Sequence, residues 1–324
     1  MQSLIFGKLA HIAFETRIDE VLNSLAFILM GSFAIAYASS SYSGSMPMPK
    51  KISVNGIDLK YVEQGTGEPV VFVHGSNSDY RTWEPQRESI SKHYRFIALS
   101  MRYFGDEPWL DNGEKFSVET HADDLVEFIR KTTSGPVHLV GWSYSGSVIL
   151  TVAVRHPDLI KSLFLFEPSV PSIVEVPLAA KEIKEDRAAM VKDGLAAAKL
   201  GNNATAVRLF MDAANDKDGS FDALPEEAHT MMLENAKMLP LLLLAPPAPP
   251  LTCAQLKQLK FPVAILRGEL ARTFYKVIAV SMAECISGSQ LTVVSKGRHL
   301  WPVADPQAFT EMLMKFLNSV EKAR

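Results

Sequence analysis

Beyond residue 50 the chain alternates short apolar runs with amphipathic stretches. Segments 51–54 and 59–63 flank Asn55-Gly56, a hairpin-like turn signal. Segment 69–73 (PVVFV) has the unbroken apolar character of a buried strand and ends at His74-Gly75. Segments 94–100, 136–140 and 161–166 read as further strands, and apolar residues recur at helical spacing over 117–131 and 144–156. This alternation predicts a mostly parallel, doubly wound α/β sheet. The rhythm stops at Pro168. As far as about Leu259 there is no convincing strand, only helical stretches at 179–200 and 205–214, a turn-rich 215–220, and an apolar 241–251 broken by four prolines. A loop of that length is implausible inside a compact domain. Residues 169–259 are therefore expected to form a helical insertion in a core made of 46–168 and 260–324. The rhythm resumes with strands at 261–266 and 290–294 and helices at 275–286 and 306–321.

The first 45 residues follow another pattern. Residues 21–49 carry no charge, and the apolar run 25–38 ends in Ala36-Tyr37-Ala38 before a serine-rich spacer. That is the layout of a secretory signal, although Glu15, Asp19 and Glu20 outweigh Lys8 and Arg17 upstream. About 18 mainly apolar residues also barely suffice for a membrane anchor. Export or anchoring is the expectation, ahead of a cytoplasmic protein whose start lies too far upstream. Membrane contact is expected only through this segment. Hydrophobic residues at 47% and charged residues at 21% suit a globular protein with a sizeable core. A net charge of −3 leaves no electrostatic footprint for a nucleic acid. Cys253 and Cys285 match no metal-binding spacing and read as free thiols rather than a pair.

Candidate chemistry gathers at strand ends, where open parallel sheets place ligands. After the strand at 136–140 comes Gly141-Trp142-Ser143-Tyr144-Ser145-Gly146, followed by a helix. A serine on so tight a strand-to-helix turn exposes its hydroxyl and needs small neighbours. His74-Gly75-Ser76 follows an upstream strand, and His299 lies between the last strand and the last helix. With these motifs the chain resembles the α/β-hydrolase superfamily over about residues 51–322. The resemblance implies Ser143 as nucleophile, His299 as general base, the backbone N–H groups of Ser76 and Tyr144 as oxyanion hole, and a structural His74. Ser145 stands where the motif usually carries glycine.

Most members carry an aspartate just after the penultimate strand. Here that stretch reads Arg267-Gly268-Glu269-Leu270-Ala271, with Ala271 at the expected place. In haloalkane dehalogenases and some lactonases, which this chain resembles in this respect, the acid instead closes the strand after the nucleophile helix. Glu167 closes the strand at 161–166, and burying an unpaired carboxylate there is costly. Glu167 is thus the expected acid and Glu269 the runner-up. Asp123 and Asp124 read as solvated residues of a charged helix face. Trp142 either lines an acyl pocket or packs on the sheet, and Arg102, Tyr103 and Phe104 border the site. Met211, Met231, Met232 and residues 241–244 roof it as a cap. The expectation is a serine hydrolase cleaving a carboxylic ester or lactone of a small, mainly apolar substrate through an acyl-enzyme, with neither cofactor nor metal. The alternatives are a carbon–carbon bond hydrolase of ring-cleavage products and a hydrolase-like receptor with little turnover. A serine at position 143 argues against dehalogenase and epoxide hydrolase chemistry, which use an aspartate nucleophile.

Overall fold

A computed structural model describes residues 47–322. Eight strands form one sheet: β1 (Lys50–Val54), β2 (Ile57–Gln64), β3 (Pro69–Val73), β4 (Arg95–Leu99), β5 (Val137–Trp142), β6 (Ile160–Phe166), β7 (Val263–Gly268) and β8 (Gln290–Val294). Their order is β1-β2-β4-β3-β5-β6-β7-β8. The β1–β2 hairpin turns at Asn55-Gly56, and β2 meets β4 antiparallel; every later pairing is parallel. β3, β5 and β6 lie mid-sheet and are almost wholly buried, which accounts for the unbroken apolar run of β3 and the mainly apolar residues of the other two.

Helices cover both faces. α1 (Glu84–Ser91), α2 (Val118–Thr132) and α3 (Ser145–Arg155) follow β3, β4 and β5. Ser117 caps α2 by accepting the Thr120 N–H. On β6, Phe164 packs on Phe309 of the C-terminal helix, whereas Leu165 lies beside Gly141 and Ile149 of α3. Neighbouring strand residues point to opposite faces, so the two helices flank the sheet from either side. The periodicity does not announce α1, because two of its three buried residues, Gln86 and Arg87, are polar.

Between β6 and β7 the chain forms a helical cap: α4 (Pro177–Lys199), α5 (Asn203–Ala214), α6 (Glu226–Glu234), α7 (Leu239–Leu244) and α8 (Cys253–Leu256). The core resumes with α9 (Thr273–Cys285), α10 (Trp301–Ala304) and α11 (Pro306–Lys322). Gly194 lets α4 and α5 approach closely, since a Cβ there would lie 3.1 Å from the Ala206 carbonyl. Met211, Met231 and Met232 are buried, while Leu244 is exposed.

Two expectations are corrected. Cys253 and Cys285 form a disulfide with Cα atoms 5.0 Å apart. Their 32-residue separation hid the pairing, because only the packing of α8 on α9 brings them together. Asp124 is buried and makes a bidentate ion pair with Arg102, at 2.7 and 2.8 Å. Asp123 stays on the surface, 3.4 Å from Arg155. Among the described residues no helix is long and apolar enough to cross a membrane. The signal or anchor reading falls on residues outside those described.

The disulfide closes a loop across the junction of cap and core. Replacing both cysteines with serine is expected to lower the unfolding free energy by about 3 kcal/mol, read from urea denaturation. An unchanged midpoint would mean the bond adds nothing to stability.

Candidate active site

Strand register builds the site. Trp142 pairs with Phe166, and Phe166 with Leu266, so Ser143 and Glu167 leave adjacent strands side by side. The Ser143 N–H donates to the Phe166 carbonyl (3.1 Å) and the Glu167 N–H to the Leu266 carbonyl (2.8 Å). Both residues adopt left-handed backbone conformations, φ 59° for Ser143 and 42° for Glu167. Such geometry is strained for residues with a Cβ and persists only where surrounding contacts impose it. Ser145 supplies one such contact: its hydroxyl donates to the Val73 carbonyl (2.9 Å) and accepts the Trp142 N–H (2.9 Å), lacing the turn to β3. A glycine at that position would forfeit both bonds.

The side chains form one hydrogen-bonded line. His299 Nε2 lies 3.0 Å from Ser143 Oγ, and His299 Nδ1 lies 2.6 Å from Glu167 Oε2. Glu167 is fully buried, and its other oxygen accepts the Gly268 N–H at 2.8 Å. A Cβ at Gly268 would fall 2.2 Å from the Gly297 carbonyl, so glycine is what lets the His299 loop approach β7. Glu269 is exposed and accepts the Lys296 N–H (2.9 Å), which holds its carboxyl below the ordinary range; among the described residues it does not touch His299.

Trp142 is buried. Its indole N–H donates to the His299 carbonyl (2.9 Å) and its ring leans on the imidazole, a contact with the histidine loop that neither expected role included. The backbone N–H groups of Ser76 and Tyr144 have no hydrogen-bond partner among the described residues. The loop carrying Ser76 presses on the serine, since a Cβ on Gly75 would lie 3.4 Å from Ser143 Cβ. His74 anchors that loop: Nε2 accepts the Met101 N–H (3.0 Å) and Nδ1–H donates to the Gly75 carbonyl (2.8 Å). His121 plays a matching part for Tyr144. Its Nε2–H donates to the Arg102 carbonyl (3.0 Å), which leaves Nδ1 to accept the Tyr144 hydroxyl (2.8 Å). Of the expected bordering residues, Phe104 packs on His74. Arg102, Tyr103 and Phe104 all line a separate open cleft of about 600 Å³ with Asn55, Ile57 and Trp109, and neither Ser143 nor His299 is in its wall.

The cap holds three of the loops. Asn215 Oδ1 accepts the Leu300 N–H (2.9 Å) next to His299. Asn235 donates to Asp79 (2.8 Å) and accepts the Gly105 N–H (2.6 Å). Burial alone would raise the Asp79 carboxyl, but the Arg81 guanidinium and the Asn235 amide hold it below the ordinary range. Asp186 pairs with Arg272 (2.6 Å) and accepts the Phe274 N–H (2.9 Å) at the start of α9. Sequence reasoning missed Asn215 and Asn235, which end α5 and α6 and look there like ordinary helix stops. It missed Tyr275 as well, whose ring stacks on His299.

A model of the α/β-hydrolase fold family matches residues 68–214. The chain has the α/β-hydrolase fold. Among curated proteins it is similar to (E)-2-((N-methylformamido)methylene)succinate hydrolase of Acinetobacter baylyi, 34% identical over 140 residues, 43% of this chain and 51% of that protein. It is also similar to 2-hydroxy-6-oxo-6-(2'-aminophenyl)hexa-2,4-dienoic acid hydrolase of Metapseudomonas resinovorans, 29% identical over 141 residues, 42% of this chain and 48% of that protein. The matched stretch thus spans about half the length of these curated relatives. Among solved structures, an esterase from Exiguobacterium antarcticum superposes with a TM-score of 0.68 at 20% identity, covering 84% of this chain and all of that one.

Burial keeps both supporting histidines neutral, lowering His74 to about 4 and His121 to about 3. The unfolded chain therefore binds two more protons than the folded one below about pH 6.5, and stability falls as pH drops through that window. Between pH 7 and pH 5 each histidine is expected to remove about 2 kcal/mol. Urea unfolding at the two pH values checks this, and His121→Gln should remove about half of the loss. Equal stability at both would contradict the assignment.

Proposed function

We propose that this chain is a serine hydrolase that cleaves a carbon–carbon bond in a small unsaturated organic acid of the ring-cleavage type. Ser143 is the nucleophile, His299 the general base and Glu167 the orienting acid; Ser76 and Tyr144 provide the oxyanion hole. The unbroken hydrogen-bond line Glu167–His299–Ser143 carries this reading. A serine hydroxyl is a weak nucleophile until a neighbouring imidazole takes its proton. Glu167 Oε2 against Nδ1 fixes the tautomer that leaves Nε2 free to accept that proton. As Ser143 attacks the carbonyl, its proton passes to Nε2 and the negative oxygen meets the two backbone N–H groups. One such donor is worth about 3–4 kcal/mol to the transition state. His299 then returns the proton to the departing carbon, and water, activated by the same imidazole, releases the acyl group. A carbon can leave only when conjugation stabilises its electron pair, and an unsaturated acid supplies that conjugation.

The choice of bond leans on the relative whose name states hydrolysis of a 2-hydroxy-6-oxo-hexadienoic acid; the other relative's name states hydrolysis of a formamido-methylenesuccinate, an unsaturated acid that also offers carbon–nitrogen bonds. This choice reverses the order expected from sequence, in which an ester or lactone came first. That ester reading stands second, because nothing in the three side chains depends on whether carbon or oxygen departs.

Steady-state kinetics on 2-hydroxy-6-oxo-6-(2'-aminophenyl)hexa-2,4-dienoic acid and on p-nitrophenyl esters of several acyl lengths test the proposal. Turnover of the dienoic acid is expected to exceed that of the esters. Ser143→Ala and Glu167→Gln should each lose about 10³–10⁴-fold in kcat, and Glu269→Gln should change it less than about twofold. Ester turnover alone would move the weight to the second reading. No turnover of either would favour the receptor.

A further inference from the structure

Tyr275 lies in the first turn of α9, is 2% exposed, and has no part in the scheme above. Its ring lies parallel to the His299 imidazole, with centroids 4.0 Å apart and planes 10° from coplanar. Its hydroxyl donates to Met190 Sδ on the cap helix α4, 3.7 Å away. Trp142 leans on the same imidazole at 5.6 Å and 45°, so only Tyr275 offers it a parallel face. Glu167 on β6 holds Nδ1, the one carboxylate of the 267–272 stretch, Glu269, accepts the Lys296 N–H, and the helix after that stretch brings an aromatic face to His299.

We infer that Tyr275 is a catalytic residue of this site: its ring stabilises the imidazolium that His299 becomes on taking the Ser143 proton. The inference rests on the Ser143–His299–Glu167 reading. The contact is stronger in the transition state than before it, which is the condition for raising a rate. Before proton transfer the stack joins two neutral rings; afterwards a cation faces the negative π surface. Proton accounting stays simple: the Ser143 proton goes to His299 Nε2, and Tyr275 keeps its own. Burial pushes the phenol well above its ordinary range, and the Glu167 carboxylate adds to this.

The test is the rate at which a fluorophosphonate labels Ser143, measured against pH in the full chain, because this reads serine attack without a known substrate. Tyr275→Phe keeps the stack, and its pH midpoint is expected to match that of the wild type. Tyr275→Leu loses the stack and should label more slowly, with the midpoint lowered by about half a pH unit, since the imidazolium is less stabilised. Removing a ring that only filled space would leave the midpoint in place or raise it by admitting water to the imidazole. If Tyr275→Leu fails to fold, Tyr275→Met, which fills the space without a π face, decides by the same midpoint. A midpoint at or above the wild-type value in the variant that folds, with Ser143→Ala unlabelled, would overturn the role of Tyr275 and leave the triad standing. Labelling of Ser143→Ala at the wild-type rate, or none in wild type, would overturn the triad reading and this inference with it.

Discussion

A carboxylate with no access to water has to be satisfied by its surroundings, and Glu167 imposes that condition on the centre of this fold. One oxygen takes the Gly268 N–H at the end of β7 and the other takes His299 Nδ1. Two strand ends and the loop after the last strand therefore converge on one side chain. The close approach of Gly268 to Gly297, the left-handed backbone of Glu167 and the burial of Trp142 under His299 are the steric terms of that convergence. Removing the imidazole partner would strand a buried charge, so the pair is structural before it is anything else.

Around this centre the positioning groups are shared between core and cap. His74, kept neutral, ties the Gly75 carbonyl beside Ser76 to the Met101 N–H, and His121, also neutral, accepts the Tyr144 hydroxyl. Asn215, Asn235 and Asp186 reach down from the cap to the His299 loop, the Asp79 loop and the start of α9. Polar groups of this kind fix geometry because each one left unpaired would be costly, and each has a specific partner across the boundary. A cap tied at these points can pass small shifts in its own packing to the imidazole, the loop before α1 and Tyr275.

Much of this was legible in the residues. The unbroken apolar run at 69–73 matches β3 to the residue, the strand expected at 290–294 matches β8, and the Gly-Trp-Ser turn, Glu167 and His299 stood out because polar chemistry at the ends of apolar strands has few structural reasons to be there. What stayed hidden depends on contacts between distant segments. Asp124 sits on a helix face that reads as solvated, and Arg102, brought over by the β4 end, together with the Asn55 amide makes its burial tolerable. Cys253 and Cys285 carry no spacing signal, and their bond depends on how α8 meets α9. Tyr275 looks like any aromatic in a helix; its role exists only through the ring opposite. The absent aspartate near Ala271 was the one hint that something else occupies that side of His299.

The central claim is that Glu167 orients His299 for Ser143, and the proton between them reports it directly. Proton NMR of the intact protein is expected to show a His299 Nδ1–H resonance far downfield of the backbone amides. It should vanish in Glu167→Gln and persist in Glu269→Gln. A resonance that survives Glu167→Gln, or disappears in Glu269→Gln instead, would contradict the account and return the acid to the loop after β7.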